Sequence, residues 1–256
     1  MFTSNPFAAL TEVLPASVMQ VYVVLMVLAV VAGTLFDIIH KGSAKYFFES
    51  WRSSRRKGPQ AVGGAEMASL AIKTGLVDVL ASGEFCGVRR RVAHLLTMYG
   101  FVLHVVSTVV MVFSNSISDV WPHLWWVGGL MVLAGGYWFW FFIRVDVAAE
   151  GNSPWRVMRA DLFSLSLLAS VTLGLVWAFL QANGSGAAVV FFALYIVATT
   201  VLFASVPWSK FAHMFFKPAA AFEKRVSNAN GTRSNLPAPA DKPEQFGSAR
   251  TAPRHY

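Results

Sequence analysis

All 21 lysines and arginines of this 256-residue chain lie in three segments: residues 40–91, residues 144–160 and the stretch from Pro207 onward. The long apolar stretches between them and the two remaining connections carry none. Cationic loops stay on the cytoplasmic side of a bacterial-type membrane, so this partition predicts five crossings with the N-terminus outside and the C-terminus cytoplasmic. Five windows are long enough to cross about 30 Å of hydrocarbon at about 1.5 Å per residue: residues 18–39, 92–113, 124–143, 162–180 and 187–206. With 55% apolar and 13% charged residues, too little polar surface remains to cover a soluble globule. The expected fold is an all-α integral membrane protein, a five-helix bundle over residues 1–226 with a cytoplasmic loop at 40–91 and a tail at 227–256. The first basic residue is Lys41, so the first apolar window lacks the positive lead of a cleavable signal and is read as a retained span.

The connections at 114–120 and 181–186 are short and nearly uncharged, which makes spans two and three, and spans four and five, tight antiparallel pairs. Trp121, Trp125 and Trp126 then fall at the outer surface and Trp51, Trp155 and Trp208 near the inner one, the placement of an aromatic belt at headgroup depth. In the inner loop, Met67, Leu70, Thr74 and Val77 recur at three- and four-residue spacing opposite Glu66, Lys73 and Asp78. That pattern predicts an amphipathic helix lying on the bilayer or under a partner subunit. From Ser227 the composition turns to Asn, Gly, Pro, Ala and scattered charge, and a flexible tail is expected. The single cysteine, Cys86, excludes an internal disulfide, and any iron–sulfur cluster must belong to another chain, because such a cluster usually takes four thiolates. The net charge of +8 suits anionic lipid and an acidic partner surface at the inner face; no nucleic-acid partner is expected.

No span carries Asp, Glu, Lys or Arg near its centre and no inverted repeat is evident, which argues against a channel or transporter. The intramembrane groups left for chemistry are histidines. His94 and His104 are separated by about 15 Å of rise and about 80° of rotation, so both can face one side of the second span. Two readings of the pair stand. In one, each imidazole ligates a b-type haem, one toward each surface, and Gly100 between them lets a flat macrocycle approach the backbone. In the other, both are core histidines hydrogen-bonded to carbonyls or hydroxyls of neighbouring helices. An iron held by two imidazoles needs both at one depth. His213, shortly after span five on the inner side, can meet His94 if those helices are neighbours, whereas span five offers no histidine at the depth of His104.

The H-x9-H of span two, the Gly128-Gly129 and Gly135-Gly136 pairs of span three, Ala160-Asp161 at the start of span four and Pro207-x-Ser209-Lys210-x-x-His213-x-x-x-x-Pro218 after span five resemble the gamma (cytochrome b) subunit of respiratory nitrate reductases, over roughly residues 91–218. That resemblance implies an inner haem b whose iron is held by His94 and His213, and an outer haem held by His104 and the residue at position 195. Tyrosine stands there, so the outer site is one imidazole short. Phe36-Asp37, Ser82-Gly83-Glu84-Phe85-Cys86, Arg89-Arg90-Arg91-x-x-His94 and Tyr99-Gly100-Phe101 resemble, within that superfamily, the membrane anchor associated with dissimilatory adenylylsulfate reductase in sulfur-oxidising bacteria. The resemblance implies a subunit of the bacterial inner membrane, without catalytic residues of its own. It would pass electrons between a cytoplasmic flavin and iron–sulfur oxidoreductase and quinone, through one haem b or as a haem-free structural anchor.

Overall fold

The computed structural model describes residues 2–40, 43–83, 85, 87–114, 118–208 and 213–232. Its helices, in chain order, are α1 (Pro6–Leu10), α2 (Ala16–His40), α3 (Ser43–Lys57), α4 (Gly64–Lys73), α5 (Val88–Phe113), α6 (Val120–Trp138), α7 (Val145–Ala148), α8 (Leu162–Ala182), α9 (Ala188–Ala204) and α10 (His213–Ala229). Two of them continue as π-helix, α4 through Thr74–Leu80 and α6 through Phe139–Ile143. No strand occurs among the described residues. Four helical stretches are long and apolar enough to cross a membrane: Ala16–His40, Val88–Phe113, Val120–Ile143 and Arg159–Ala182. The fifth expected span is α9, apolar throughout but only 17 residues long.

Contacts divide the chain into two compact units, one of residues 1–40 with 92–212 and the other of residues 41–91 with 213–256. Among the described residues, the segments expected as an inner loop and the start of a tail thus contribute to a unit of their own.

In the first unit α8 is the most buried of the spans and α2 the least. The short 183–187 connection folds α9 back along α8, where Ser170 Oγ lies 2.7 Å from Thr199 Oγ1 and Trp177 packs on Phe192 and Tyr195. α2 packs on α9, and its Tyr22 hydroxyl donates to Ile196 O at 3.2 Å. Its other faces expose Val21, Val24, Leu28 and Val31, a surface suited to acyl chains and poorly suited to water. Small residues set the closest helix contact, as they do where lipid removes the hydrophobic drive between helices. A Cβ on Gly100 of α5 would lie 2.7 Å from Gly128 O of α6, and one on Gly135 would lie 2.6 Å from Ala93 O.

The N-terminal segment is an element that hydropathy did not reveal. Asn5 accepts from Phe7 N at 3.0 Å to cap α1 and donates through Nδ2 to Met111 O at 3.0 Å. Gln181 Nε2 donates to Pro6 O at 2.7 Å, Phe2 packs edge-on against Trp126, and Phe7 is wedged against Trp125 and Trp177. Trp125 and Trp126 are consequently 0% and 7% exposed. They are not the belt of lipid-facing indoles expected from their position; they form the core beneath this strap. The strap also puts the N-terminal segment at the same end of the unit as the two charge-poor connections.

The second unit is built from α3, α4 with its π segment, the first turn of α5 and α10. Trp51 of α3 stacks on Phe222 of α10 with ring centroids 5.5 Å apart, and Ser50 Oγ donates to Glu223 Oε1 at 3.0 Å. Arg225 of α10 grips Asp78 through Nε and Nη2 at 2.6 and 2.8 Å. This hydrogen bonding holds the Arg225 guanidinium above its ordinary pKa. Asp78, expected on the solvent face opposite Thr74, therefore turns inward with it, while Val77 turns outward. The i→i+5 bonding of the π segment rotates the later residues away from the 3.6-residue register that the sequence pattern assumes. The boundary of the tail also moves. α10 runs through Ala229 and Val226, Ser227 and Asn230 are buried, so residues 227–232 belong to the folded unit; residues 233–256, like Cys86, lie outside the described part.

Candidate functional site

α5 carries both candidate histidines of the membrane region. His104 is 5% exposed, and its Nδ1 lies 2.9 Å from Trp125 O. A carbonyl can only accept, so Nδ1 carries the proton and Nε2 keeps the lone pair. The imidazole stacks on the Trp125 indole, with centroids 4.6 Å apart and planes 26° from parallel. Trp125 Nε1 donates to Thr108 Oγ1 at 2.9 Å, and Thr108 Oγ1 donates to His104 O at 2.8 Å. Histidine, tryptophan and threonine thus close a hydrogen-bonded circuit that pins α5 to α6.

This geometry bears on the expected haem. The tautomer of His104 is the one a metal ligand needs, since ligating histidines donate their other nitrogen to a carbonyl or carboxylate. Its surroundings do not fit a macrocycle. The space beside Gly100 is filled by Gly128 O, Met131 Cβ and Val132 N, each within 2.8 Å of where a Cβ would stand, and a Cβ on Gly128 would in turn lie 2.7 Å from His104 N. Gly100 serves helix contact here. Tyr195, at the position of the second outer ligand, is buried and stacked on Trp177 at 5.7 Å.

For the inner pair, His94 is half-buried on α5 in the first unit, while His213 opens α10 in the second and its side chain lies outside the described part. The remaining described histidines are peripheral. His123 is exposed and its Nδ1 donates to Asp119 O at 2.7 Å, and exposed His40 stacks on Phe36 at 5.2 Å.

Two features of this region went unnoticed in the sequence. One is the aromatic cluster under the strap. The other is Arg144, 5% exposed at the end of the α6 π segment. It donates to Asp161 Oδ2 at 2.9 Å, to Pro154 O at 3.1 Å and to Arg156 O at 2.9 Å, and its guanidinium carbon lies 3.9 Å from the Trp140 ring centroid. Asp161 also accepts from Met158 N at 2.9 Å, so one ion pair organises the whole 145–161 connection. The signal available for it was an arginine directly after an apolar span, with an aspartate directly before the next.

Comparison of the chain with protein-family profiles, with curated proteins and with solved structures finds no match.

Proposed function

We propose that this chain is a membrane anchor and electron-transfer subunit that holds a soluble redox enzyme at the cytoplasmic face of a bacterial inner membrane and passes its electrons to quinone. The observation that carries the reading is the second unit. Segments flanking the membrane-spanning helices, rich in cations, fold together into a platform of three helices instead of trailing as loop and tail. A cationic platform next to a bilayer suits a partner with an acidic face. By resemblance that partner is a flavin and iron–sulfur enzyme of the adenylylsulfate reductase kind.

In this reading the bundle has five spans, N-terminus outside and C-terminus cytoplasmic. The pairing of α9 along α8 supports the fifth crossing in spite of its short length, since a helix packed antiparallel to a span traverses the same layer. Fusing a reporter after Tyr256 tests the count: it should be active as a cytoplasmic reporter and silent as a periplasmic one, and the reverse would overturn the topology.

Within the same reading, His94 and His213 are the side chains to hold one b-type haem, which when bound supplies a one-electron relay; the chain contributes ligation, burial and an apolar route for quinone. The haem-free structural anchor is the second reading, favoured by the closed packing around Gly100 and His104. Docking itself is tested by charge. Reversing Arg55, Arg56 and Lys57 to glutamate should release the oxidoreductase from washed membranes at physiological salt, detected by loss of its bound flavin from the pellet. Unchanged retention would contradict a charge-held seat.

A further inference from the structure

The second unit uses one side of α4 against α10 and leaves another open. Ile72, Leu76, Val77 and Leu80 are 63, 56, 40 and 48% exposed. Because the π segment bonds i→i+5, residues four apart stay nearly in line, and 72, 76 and 80 form a continuous aliphatic row with Val77 at its flank. This face shares only Val77 with the Met67, Leu70, Thr74 and Val77 side that the sequence pattern suggested.

Two observations indicate what covers it. α5 runs unbroken from Val88 into the span, so Arg89, Arg90 and Arg91 mark the headgroup end of that helix. Arg91 Nε donates to Ala81 O at 2.7 Å, and Ala81 directly follows the row. The C-terminal end of the aliphatic row is therefore fastened to the residue at which the apolar stretch begins, a level occupied by lipid headgroups.

We propose that the Ile72–Leu76–Val77–Leu80 face of α4 is a membrane-surface anchor, laid into the boundary between headgroups and acyl chains, with anionic lipid drawn to it by Arg89, Arg90 and Arg91. A soluble partner is the less suited occupant, because the row ends where headgroups already are. The inference rests on insertion of α5 in a membrane and not on the electron-transfer reading, so either can fail without the other.

The test uses the full chain with Cys86→Ser, carrying one cysteine at a time in place of Leu76, Leu80 or Glu66, labelled with an environment-sensitive fluorophore. Each variant is placed singly in nanodiscs of phosphatidylcholine and phosphatidylglycerol. At 76 and 80, the expected result is blue-shifted emission, strong quenching by lipid bearing a nitroxide near the top of its acyl chain, and weak quenching by iodide. At 66 the quenching order should reverse. Iodide quenching at 76 and 80 equal to that at 66 would overturn the proposal and leave the face to a protein partner. Protection that appears only in discs holding two copies would overturn it in favour of self-association.

Discussion

Gly128→Leu is expected to prevent the bundle from forming. The first carbon of any side chain at this position would lie 2.7 Å from His104 N and 2.8 Å from Gly100 O, and both are backbone atoms of a helix that cannot yield locally. α5 and α6 would have to separate, which also breaks the His104–Trp125–Thr108 circuit. Overpacking a well-packed core by a methylene or so costs about 1–3 kcal/mol, and a whole leucine side chain forced against two backbone atoms should exceed that range. The measurement is the monodisperse fraction after detergent extraction together with its melting temperature. Gly186→Ala is the control, since nothing lies within 4 Å of its added carbon. A Gly128→Leu variant that extracts and melts like the parent would show that the two helices do not meet as described.

Removing one partner of the Arg144–Asp161 pair should be nearly as damaging. Arg144→Met leaves Asp161, whose side chain is 13% exposed, without its cation, and strands the carbonyls of Pro154 and Arg156. Breaking a buried ion pair from one side costs about 3–5 kcal/mol, whereas replacing both partners by apolar groups is often nearly neutral. Arg144→Met should therefore lower the melting temperature and open residues 145–158 to protease, and the double variant with Asp161→Leu should recover much of the loss. Equal damage in the single and double variants would mean that the pair acts through its carbonyl contacts and not through its charges.

The membrane architecture was legible in the sequence because its determinant, long uncharged apolar runs, is local and additive along the chain. The five expected runs became helices close to their expected ends, with α5 and α6 each starting four residues earlier, in α5 because an arginine-rich turn is polar yet helical. Gly100 was visible too, but its use was not: the same missing side chain serves a flat cofactor or a second helix, and only the neighbour decides. Other features depend on contacts distant in sequence. α10 carries Pro218 inside it, which by local rules argues against a helix, and its contacts are distant in sequence: Arg225 is bonded to Asp78, 147 residues away, and Phe222 is stacked on Trp51. The strap over Trp125 has weak hydropathy and is held by Met111 and Gln181. The π segment of α4 departs from the 3.6-residue period that sequence spacing assumes, so the outward turn of Val77 and the inward turn of Asp78 could not be read from that spacing.

The proposed electron-transfer role is tested most directly by the visible spectrum of the purified protein, produced in cells supplied with haem, before and after reduction with dithionite and then on addition of a quinone. The account predicts the alpha band of a low-spin b haem in the reduced sample, its loss on quinone addition, its absence in His94→Ala and His213→Ala, and its survival in His104→Ala. A folded, monodisperse protein with no such band at any redox poise would contradict the account and leave the haem-free anchor in its place.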